Sequence, residues 1–416
     1  MTRRTTNVLT HAPQPLNGAK PQTRPLRVSV LAELPVQYLA PLFARLSRES
    51  TIDLTVLYLS AVGTTHSAAT LSQFDRRVVW DIDLLSGYKS KFVPNPVEAN
   101  PSRRWSLLNP ALIREIRPAR CDVLVSFGWA FPANWLAVML ARLWHIPFLL
   151  LTDTDVRDQG LSRHPTMRRL VLEWLCRHAA GALYTGTFNR DFYIRHGVVP
   201  SKLWFSPWCV DNDRFQAARR EEGRAELGLH EDVCYFVTVG TLIERKRPLL
   251  AVEAVAALQQ EGKSVGLILA GSGYMEAELK ERIRELGVKH VLFLGFVNQA
   301  RLPKIYAAAD VLLLASRRDA RATVVNEAMA AGRPVVVSSG AGVWGPGDLV
   351  KHGREGLIFD ADNFAELVAA CRTITDAGLR HRMGEAAWER VQEWSYETAA
   401  VGWRQAMAAV ERFVHA

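Results

Sequence analysis

The chain has 416 residues, 49% of them hydrophobic and 22% charged, which is long enough for two or three domains with cores of their own. Its formal net charge is +9, but four of these charges lie in residues 1–25, which contain no acid: Arg3, Arg4, Lys20 and Arg24. The remainder is mildly basic and has no segment that interleaves aromatic with basic side chains, which argues against a nucleic-acid-binding protein.

Residues 1–25 are predicted to form a disordered basic tail, because they are rich in proline and poor in large apolar residues; a binding tail is the alternative. They lack the apolar core of a secretory signal. Five cysteines without close pairing indicate reduced thiols in a cytoplasmic protein. No apolar run reaches the roughly 18 residues of a membrane-spanning helix.

The first half of the chain alternates predicted strands and helices. Strands over 26–31 and 54–59 enclose an amphipathic helix over 36–48, which is the βαβ pattern of a parallel sheet. Further strands are predicted over 123–127, 148–151 and 182–184, with helices over 134–143 and 167–176. The first sheet should therefore have at least five strands.

Loops of the first half are the predicted acceptor-binding elements. No Gly-x-Gly-x-x-Gly follows the first strand, so this half is a poor dinucleotide binder. The loops over 61–79 and 80–100 are long, and they either carry binding or form a covering flap. The strand ends near Phe127, Thr152 and Thr185 are further places for an acceptor. Asp153 and Asp155 could bind a metal, but without a third ligand a solvated loop or a helix cap is favoured.

The second half is predicted to place several loops at one sheet edge. A strand over 235–239 precedes Gly240, Thr241, Arg245 and Lys246, and a helix follows over 249–258. Strands over 266–270 and 291–294 end at Gly271-Ser-Gly273 and at Gly295-Phe296-Val297.

The most informative stretch is residues 310–339. A buried strand over 311–315 is followed by a polar loop, by Thr323 as the predicted cap of a helix over 324–331, and by a strand over 335–337. The amino end of the helix faces the carboxyl end of the strand, which makes an anion site. Asp319 and Glu327 flank this point.

This stretch resembles the donor-binding signature of retaining GT-B glycosyltransferases of family 4. Asp319 is followed by seven residues, by Glu327, and then by Ala-Met-Ala-Ala-Gly-Arg-Pro-Val. The resemblance implies that Asp319 contacts the donor sugar and that Glu327 contacts the ribose hydroxyls, since an ionised carboxylate accepts two hydrogen bonds from a cis-diol. The alternative is that Glu327 only complements the helix dipole.

The resemblance also implies roles for the neighbouring loops. Lys246 would hold the diphosphate and, with Asp319 and Glu327, make up the catalytic set. Gly240, Gly271 and Gly273 would approach the nucleotide by backbone, and the backbone of Phe296 and Val297 would contact the base. Ala322 and Thr323 would border the phosphate or sugar.

The chain departs from this family pattern at three places. Thr241 stands where relatives have a diphosphate-binding arginine, and Arg245 is a candidate substitute. Phe127 and Thr152 stand where relatives often show histidine. Arg321-Ala322-Thr323 replaces Phe-Gly-Leu, and Arg321 could contact phosphate or turn outward.

The expected fold is α/β of GT-B type, with two Rossmann-like doubly wound parallel-sheet domains facing across a cleft. Residues 26–212 would bind the acceptor, 213–395 the nucleotide sugar, and 396–416 would form a helix that packs back on the first domain.

The expected activity is transfer of a sugar from a UDP or GDP sugar to a hydroxyl of a glycan, lipid-linked or small-molecule acceptor, with retention of configuration and without a required cofactor or metal. The alternatives are a GT-B sugar-nucleotide epimerase and a catalytically idle GT-B binding protein.

Two predicted helices of the first half combine tryptophan with arginine. One has Arg142 among Trp135, Leu136, Met139, Leu140 and Trp144; segment 163–177 adds Arg163, His164, Arg168, Arg169 and Arg177 around Leu170, Leu172 and Trp174. Such a surface suits peripheral contact with the inner face of a membrane, where a polysaccharide can grow on a lipid carrier. The alternative is that the apolar faces pack on the sheet.

Overall fold

The computed structural model describes residues 24–64, 79–96, 104–158 and 164–414. Most of the predicted tail lies outside these ranges, as do Arg163, residues 65–78 of the long loop predicted over 61–79 and residues 97–100 of the one predicted over 80–100. Arg24, at the end of the predicted tail, is described, and its guanidinium lies 2.6 Å from the carboxylate of Asp122.

The first half forms a parallel sheet that has seven strands within these ranges. The strands are β1 (Leu26–Ala32), β2 (Ile52–Tyr58), β3 (Lys89–Phe92), β4 (Val123–Phe127), β5 (Phe148–Leu151), β6 (Gly181–Tyr184) and β7 (Leu203–Phe205). The helices are α1 (Ala40–Leu46), α2 (Leu112–Glu115), α3 (Pro132–Leu143), α4 (Pro165–His178) and α5 (Thr187–Arg195). The spatial order is β3-β2-β1-β4-β5-β6-β7, so it reverses direction between β1 and β4.

The second half repeats this architecture around a parallel sheet of six described strands, in the order β10-β9-β8-β11-β12-β13. The strands are β8 (Cys234–Val239), β9 (Val265–Ala270), β10 (Val291–Gly295), β11 (Val311–Leu314), β12 (Val335–Ser338) and β13 (Gly356–Phe359). The helices that precede, connect and follow them are α6 (Asn212–Gln216), α7 (Arg220–Leu227), α8 (Pro248–Gln260), α9 (Glu276–Leu286), α10 (Leu302–Ala308), α11 (Thr323–Ala330), α12 (Phe364–Ile374), α13 (Ala377–Val391) and α14 (Tyr396–Val414). β8, β9, β11 and β12 are buried along their whole length, as expected for parallel strands covered on both faces.

Proline residues decide where several helices begin. A helix was predicted over 36–48, but α1 begins at Ala40, because Pro41 has no N–H to donate and is tolerated only in the first turn. α3 and α4 begin at Pro132 and Pro165, two residues before their predicted starts, for the same reason. β3 and β7 were not predicted. β3 is a short polar strand, Lys-Ser-Lys-Phe, and β7 has only three residues.

Helix α14 returns from the second half to the first, where it packs against α1, β6 and β7. Trp403 is fully buried there, and its indole N–H donates to the Ser206 hydroxyl at 3.1 Å. The predicted doubly wound α/β fold with a C-terminal helix that crosses back is therefore confirmed.

The five cysteines are buried free thiols, as predicted. In the part of the chain that the structure describes, no helix combines the length and apolarity needed to cross a membrane.

Candidate active site

The predicted donor loops share one edge of the second sheet. β8 and β11 are hydrogen-bonded neighbours at the point where the strand order reverses. In open parallel sheets a ligand crevice forms outside the carboxyl ends of the strands at this point. The loop of Gly240 to Lys246 follows β8, and the loop of Asp319 follows β11, so both border the crevice.

Lys246 and Asp319 are in direct contact there. The Lys246 ammonium donates to one carboxylate oxygen of Asp319, and the backbone N–H of Ala322 donates to the other at 3.1 Å. Burial would raise the pKa of Asp319, but the charge of Lys246 and these hydrogen bonds outweigh it and hold the pKa below its usual value. Asp319 is therefore ionised at neutral pH, while the ammonium keeps further N–H groups that can donate to another acceptor.

The start of α11 differs from the prediction. Thr323 was expected to cap the helix, but it is the first helical residue, and Ala322 is the flanking residue, with a left-handed φ of 40°. The carboxylate of Asp319 accepts the N–H of Ala322, which lies just before the helix, so it holds the turn that leads into α11 and no side chain caps the helix itself. Alanine thus occupies a conformation that glycine adopts more easily, at the place where the family pattern has glycine.

Glu327 lies one turn into α11 and is buried. The hydroxyl of Tyr306 donates to its Oε2 at 2.7 Å. Burial raises the pKa of Glu327 to about 7, against the hydrogen bond from Tyr306 and the charge of Arg214, which lower it. Tyr306 occupies one carboxyl oxygen, and the proposed ribose contact would use the other.

Gly271 and Gly273 allow the loop after β9 to pack directly on the loop after β8. A Cβ at Gly271 would lie 1.7 Å from the carbonyl oxygen of Gly240, and one at Gly273 would lie 2.3 Å from that of Leu242. The N–H of Leu242 also donates to the Ser272 carbonyl at 3.0 Å. Larger residues at the two glycine positions would force these loops apart.

The remaining predicted donor residues lie around the same crevice. Thr241 and Val297 are buried. The Arg245 guanidinium donates to the carbonyl of Arg318 at 2.7 Å, so it contacts the loop that carries Asp319. Phe296 lies 6.2 Å from Trp80, centroid to centroid, and thus faces the first domain.

Arg321 reaches across the cleft. Its guanidinium donates to the Tyr38 hydroxyl and lies 3.3 Å from the carboxylate of Asp153. Glu33, directly after β1, faces the same charge; burial raises the pKa of Glu33 to about 7, although Arg321 lowers it. The sequence suggested that Arg321 would either contact phosphate or turn outward, and neither suggestion included this contact with the first domain.

Asp155 and Arg157 hold the two domains together, which the sequence did not predict. Asp155 pairs with Arg157 at 2.7 Å and with Arg318 of the second domain at 2.6 Å. Arg157 also donates to the carbonyls of Ser339 and Ala341, at 3.1 and 2.8 Å. The only feature of the sequence that bears on this contact is the pair of arginines at 317–318. No local pattern indicates that they meet residues about 160 positions earlier in the chain.

These contacts change the interpretation of the acidic pair Asp153 and Asp155. Both carboxylates pair with guanidinium groups. Asp155 also accepts the N–H of Arg157 at 2.8 Å, which is the predicted helix cap, and Asp153 is partly exposed. Across the described ranges, no group of three or more His, Cys, Asp or Glu side chains is arranged to hold a metal ion.

Comparison with known proteins finds glycosyltransferases. Residues 219–390 match the family model described as Glycosyl transferases group 1. The chain is 28% identical to a D-inositol 3-phosphate glycosyltransferase of Geodermatophilus obscurus, over 71% of this chain and 70% of that protein. It is 27% identical to an alpha-D-kanosaminyltransferase of Streptomyces kanamyceticus, over 70% of this chain and 76% of that protein.

Solved structures share the fold. The Anabaena protein HepE in complex with UDP and glucose superposes with a TM-score of 0.70 at 17% identity, over 92% of this chain and all of that one. Sucrose-phosphate synthase from Thermosynechococcus elongatus gives 0.72 at 18% identity, over 94% of this chain and all of that one. The chain therefore has a GT-B fold, and its second half carries a Glycosyl transferases group 1 domain.

Proposed function

We propose that the protein is a retaining glycosyltransferase of family 4, which moves a sugar from a nucleotide-diphosphate sugar of UDP or GDP type to an acceptor hydroxyl. The observation that carries this proposal is the contact of Lys246 with Asp319 at the point where the strand order of the second sheet reverses. It places a cation for a diphosphate beside an ionised carboxylate for sugar hydroxyls.

The chemistry follows from this pair. When the bond between the anomeric carbon and the diphosphate breaks, the departing oxygen takes the electron pair and negative charge grows on the diphosphate. We propose that this charge develops beside Lys246 and the free N–H groups at the start of α11, where such stabilisation would be worth several kcal/mol in a water-poor cleft. Because these groups already supply positive charge, we propose that no bound metal or cofactor is required.

The acceptor side is proposed to be the first domain. A small cavity of about 20 Å³, which is room for about one water molecule, lies between the domains, lined in part by Thr185 and Trp208 of the first and by Arg321 and Asn326 of the second. The buried Trp208 Nε1 has no hydrogen-bond partner among the described residues, so it is available to an acceptor hydroxyl. A glycan or a lipid-linked acceptor is proposed, with the enzyme in the cytoplasm at the inner face of a membrane.

A thermal-shift panel of UDP, GDP and ADP sugars tests the donor half of the proposal. A bound donor at about 100 times its dissociation constant should stabilise the protein by about 2.7 kcal/mol. A variant changed away from the crevice, Arg284→Glu on helix α9, should show the same thermal shift as the wild type. No shift with any nucleotide sugar would contradict the proposal.

Product analysis separates the two alternatives. An epimerase would convert the donor sugar without adding it to an acceptor, and an idle binding protein would give the thermal shift with no nucleoside diphosphate released. Transfer should release one nucleoside diphosphate for each sugar that appears on an acceptor.

A further inference from the structure

Exposed apolar side chains are concentrated in the first domain. Of the fifteen large apolar side chains that are clearly exposed in the described residues, eleven fall between residues 105 and 199. Six of these belong to α3, to the residue that ends it, or to α4: Met139, Leu143, Trp144, Met167, Leu170 and Trp174. The exposed apolar surface is therefore local rather than scattered.

The stripes on the two helices form one face. Trp135, Met139 and Leu143 follow each other at four-residue intervals along α3, and Met167, Leu170 and Trp174 do so at three- and four-residue intervals along α4. The rings of Trp135 and Trp174 lie 6.4 Å apart, which joins the stripes. We call the exposed side of these two helices the α3–α4 face: Trp135, Met139, Leu143 and Trp144 with Met167, Leu170 and Trp174. The other sides of both helices, including Leu140 and Leu172, are buried against the sheet.

Leu140 and Leu172 were predicted to belong to this exposed surface, and that part of the prediction was wrong. Each helix has an apolar side that packs on the core and a second apolar stripe on its exposed side. Packing on the sheet therefore accounts for only one of the two apolar stripes on each helix.

The two helices that form the face carry positive charge. The two helices contain four arginines and one glutamate, a net charge of +3: Arg142, Arg168, Arg169 and Arg177, with Glu173. Glu173 is shared between Arg169 at 2.7 Å and Arg177 at 3.4 Å. Arg142 is exposed beside Leu143. Tryptophan, aliphatic and arginine side chains together match the interface of a membrane, where apolar groups enter and cations meet lipid phosphates.

We propose that the α3–α4 face docks on the surface of an anionic lipid bilayer. A second copy of the chain is a poorer occupant, because it would bring together two pairs of helices that each carry a net charge of +3. An anionic bilayer offers negative charge to the arginines and, below its headgroups, an apolar layer to the apolar side chains.

Docking on this face would bring the acceptor side of the cleft close to the membrane. The Trp135 indole N–H donates to the Trp129 carbonyl at 2.9 Å, and the Trp129 indole N–H donates to Thr154 at 3.1 Å, beside Asp153 in the cleft. Arg168 of α4 lies over the ring of Trp129, 5.3 Å from its centroid. This link to a lipid-linked acceptor rests on the proposed function, whereas the docking itself does not.

Flotation of the full chain with vesicles tests the proposal. Vesicles of phosphatidylglycerol and phosphatidylcholine should carry the protein upward at low salt and less of it at high salt, whereas pure phosphatidylcholine should carry little. Arg169→Glu should lower the membrane partition coefficient at least about fivefold. Arg284→Glu is the control, because Arg169 and Arg284 are both 74% exposed and each pairs with a glutamate one turn away.

The apolar contribution is tested separately. Leu143→Ser combined with Leu170→Ser should reduce the binding that remains at high salt, whereas Phe364→Ser on the remote helix α12 should not. Folding of each variant is checked by its thermal unfolding and by its response to nucleotide sugars.

Three results would overturn the proposal: wild-type protein that stays at the bottom of the gradient at both salts, equal losses for Arg169→Glu and Arg284→Glu, or a dimer that the two serine changes dissociate. The last result would make the face an interface between copies. Nucleotide-sugar binding is measured on the same samples, so flotation without any thermal shift would contradict the proposed function and leave docking intact.

Discussion

At the scale of single residues, the site combines two carboxyl groups with opposite electrostatic environments. Asp319 is kept ionised by Lys246, whereas Glu327 is buried and has a pKa of about 7. Burial of Glu327 has a cost that a bound nucleotide can offset, because ribose hydroxyls would supply hydrogen bonds to its charged form. Opposite effects on stability and on binding are therefore expected when this charge is removed.

Glu327→Gln should stabilise the ligand-free protein at about pH 8, by on the order of 1–3 kcal/mol. Because the pKa of Glu327 is raised on folding, the contribution of this carboxyl group to the free energy of unfolding is fully present below its ordinary pKa of 4.5. That contribution is lost as the pH rises through about 7. The gain should therefore shrink at about pH 4, which chemical denaturation at the two pH values measures. A gain of the same size at both pH values would contradict the assigned cause.

The same substitution should weaken nucleotide binding by about 1.5–3 kcal/mol, because a neutral amide replaces a charged acceptor of hydroxyl hydrogen bonds. Titration calorimetry with the nucleoside diphosphate measures this loss. Equal affinities of wild type and variant would argue that Glu327 serves only the helix dipole.

Lys246→Ala should lower turnover more than donor affinity, because the charge on the diphosphate grows in the transition state. We expect a loss of at least about 100-fold in turnover, which corresponds to the several kcal/mol that such a group supplies. Steady-state release of nucleoside diphosphate measures both constants. An unchanged turnover number with a raised Michaelis constant would show that Lys246 acts in binding alone.

At the scale of elements, the two domains are joined by contacts between loops. Asp155 is buried between Arg157 and Arg318. Asp153, two residues earlier, is half-exposed and pairs with Arg321. A buried carboxylate that neutralises two guanidinium groups is costly to remove, whereas an exposed pair contributes little.

Asp155→Ala should therefore lower the free energy of unfolding by about 3–5 kcal/mol, and Asp153→Ala by about 1 kcal/mol or less. Urea denaturation of the two variants makes the comparison. Similar small losses in both would mean that Asp155 does not hold the domains together.

The returning helix α14 offers a test in which intrinsic preference and packing disagree. Glycine to alanine inside a helix ordinarily stabilises by up to about 1 kcal/mol. A Cβ at Gly402 would, however, lie 1.9 Å from the carbonyl oxygen of Phe205, so Gly402→Ala should destabilise the protein. Val401→Ala, at an exposed neighbouring position, is the control and should change the melting temperature little. A stabilised Gly402→Ala variant would contradict this packing.

The elements that the sequence predicted best are those whose signals are local. The buried strands β4 and β5 were predicted with their observed bounds, because short runs of β-branched and aliphatic residues encode a parallel strand directly. β3 carries no such signal, since two of its four residues are lysine. The cap predicted for α11 was wrong, because Thr323 is already helical and the turn before it is held by the hydrogen bond from Ala322 to Asp319, which no local pattern indicates.

The site shows the same division. Asp319 and Glu327 could be proposed from one continuous motif, and the shared sheet edge brings Lys246 to Asp319 as the strand order requires. The contacts of Arg321 with Tyr38 and of Arg157 with Ala341 join residues more than 180 positions apart. Such pairs depend on how the domains meet, which no local pattern in the chain specifies.

At the scale of the whole molecule, the fold divides the work between two similar sheets. The second sheet presents the loops after β8, β9, β10 and β11 to one crevice, while the first presents Glu33, Asp153 and Trp208 to the other side of the cleft. Helix α14 and the Asp155 contacts hold these two surfaces face to face. The central claim is that a nucleotide-diphosphate sugar occupies the crevice of the second sheet.

Hydrogen–deuterium exchange with and without the nucleotide sugar that gives the largest thermal shift tests this claim most directly. We expect the strongest protection on residues 240–248, 271–275, 295–297 and 319–327, and Glu327→Gln should reduce this protection at equal ligand concentration. Protection confined to the first domain, or none over residues 319–327, would contradict it.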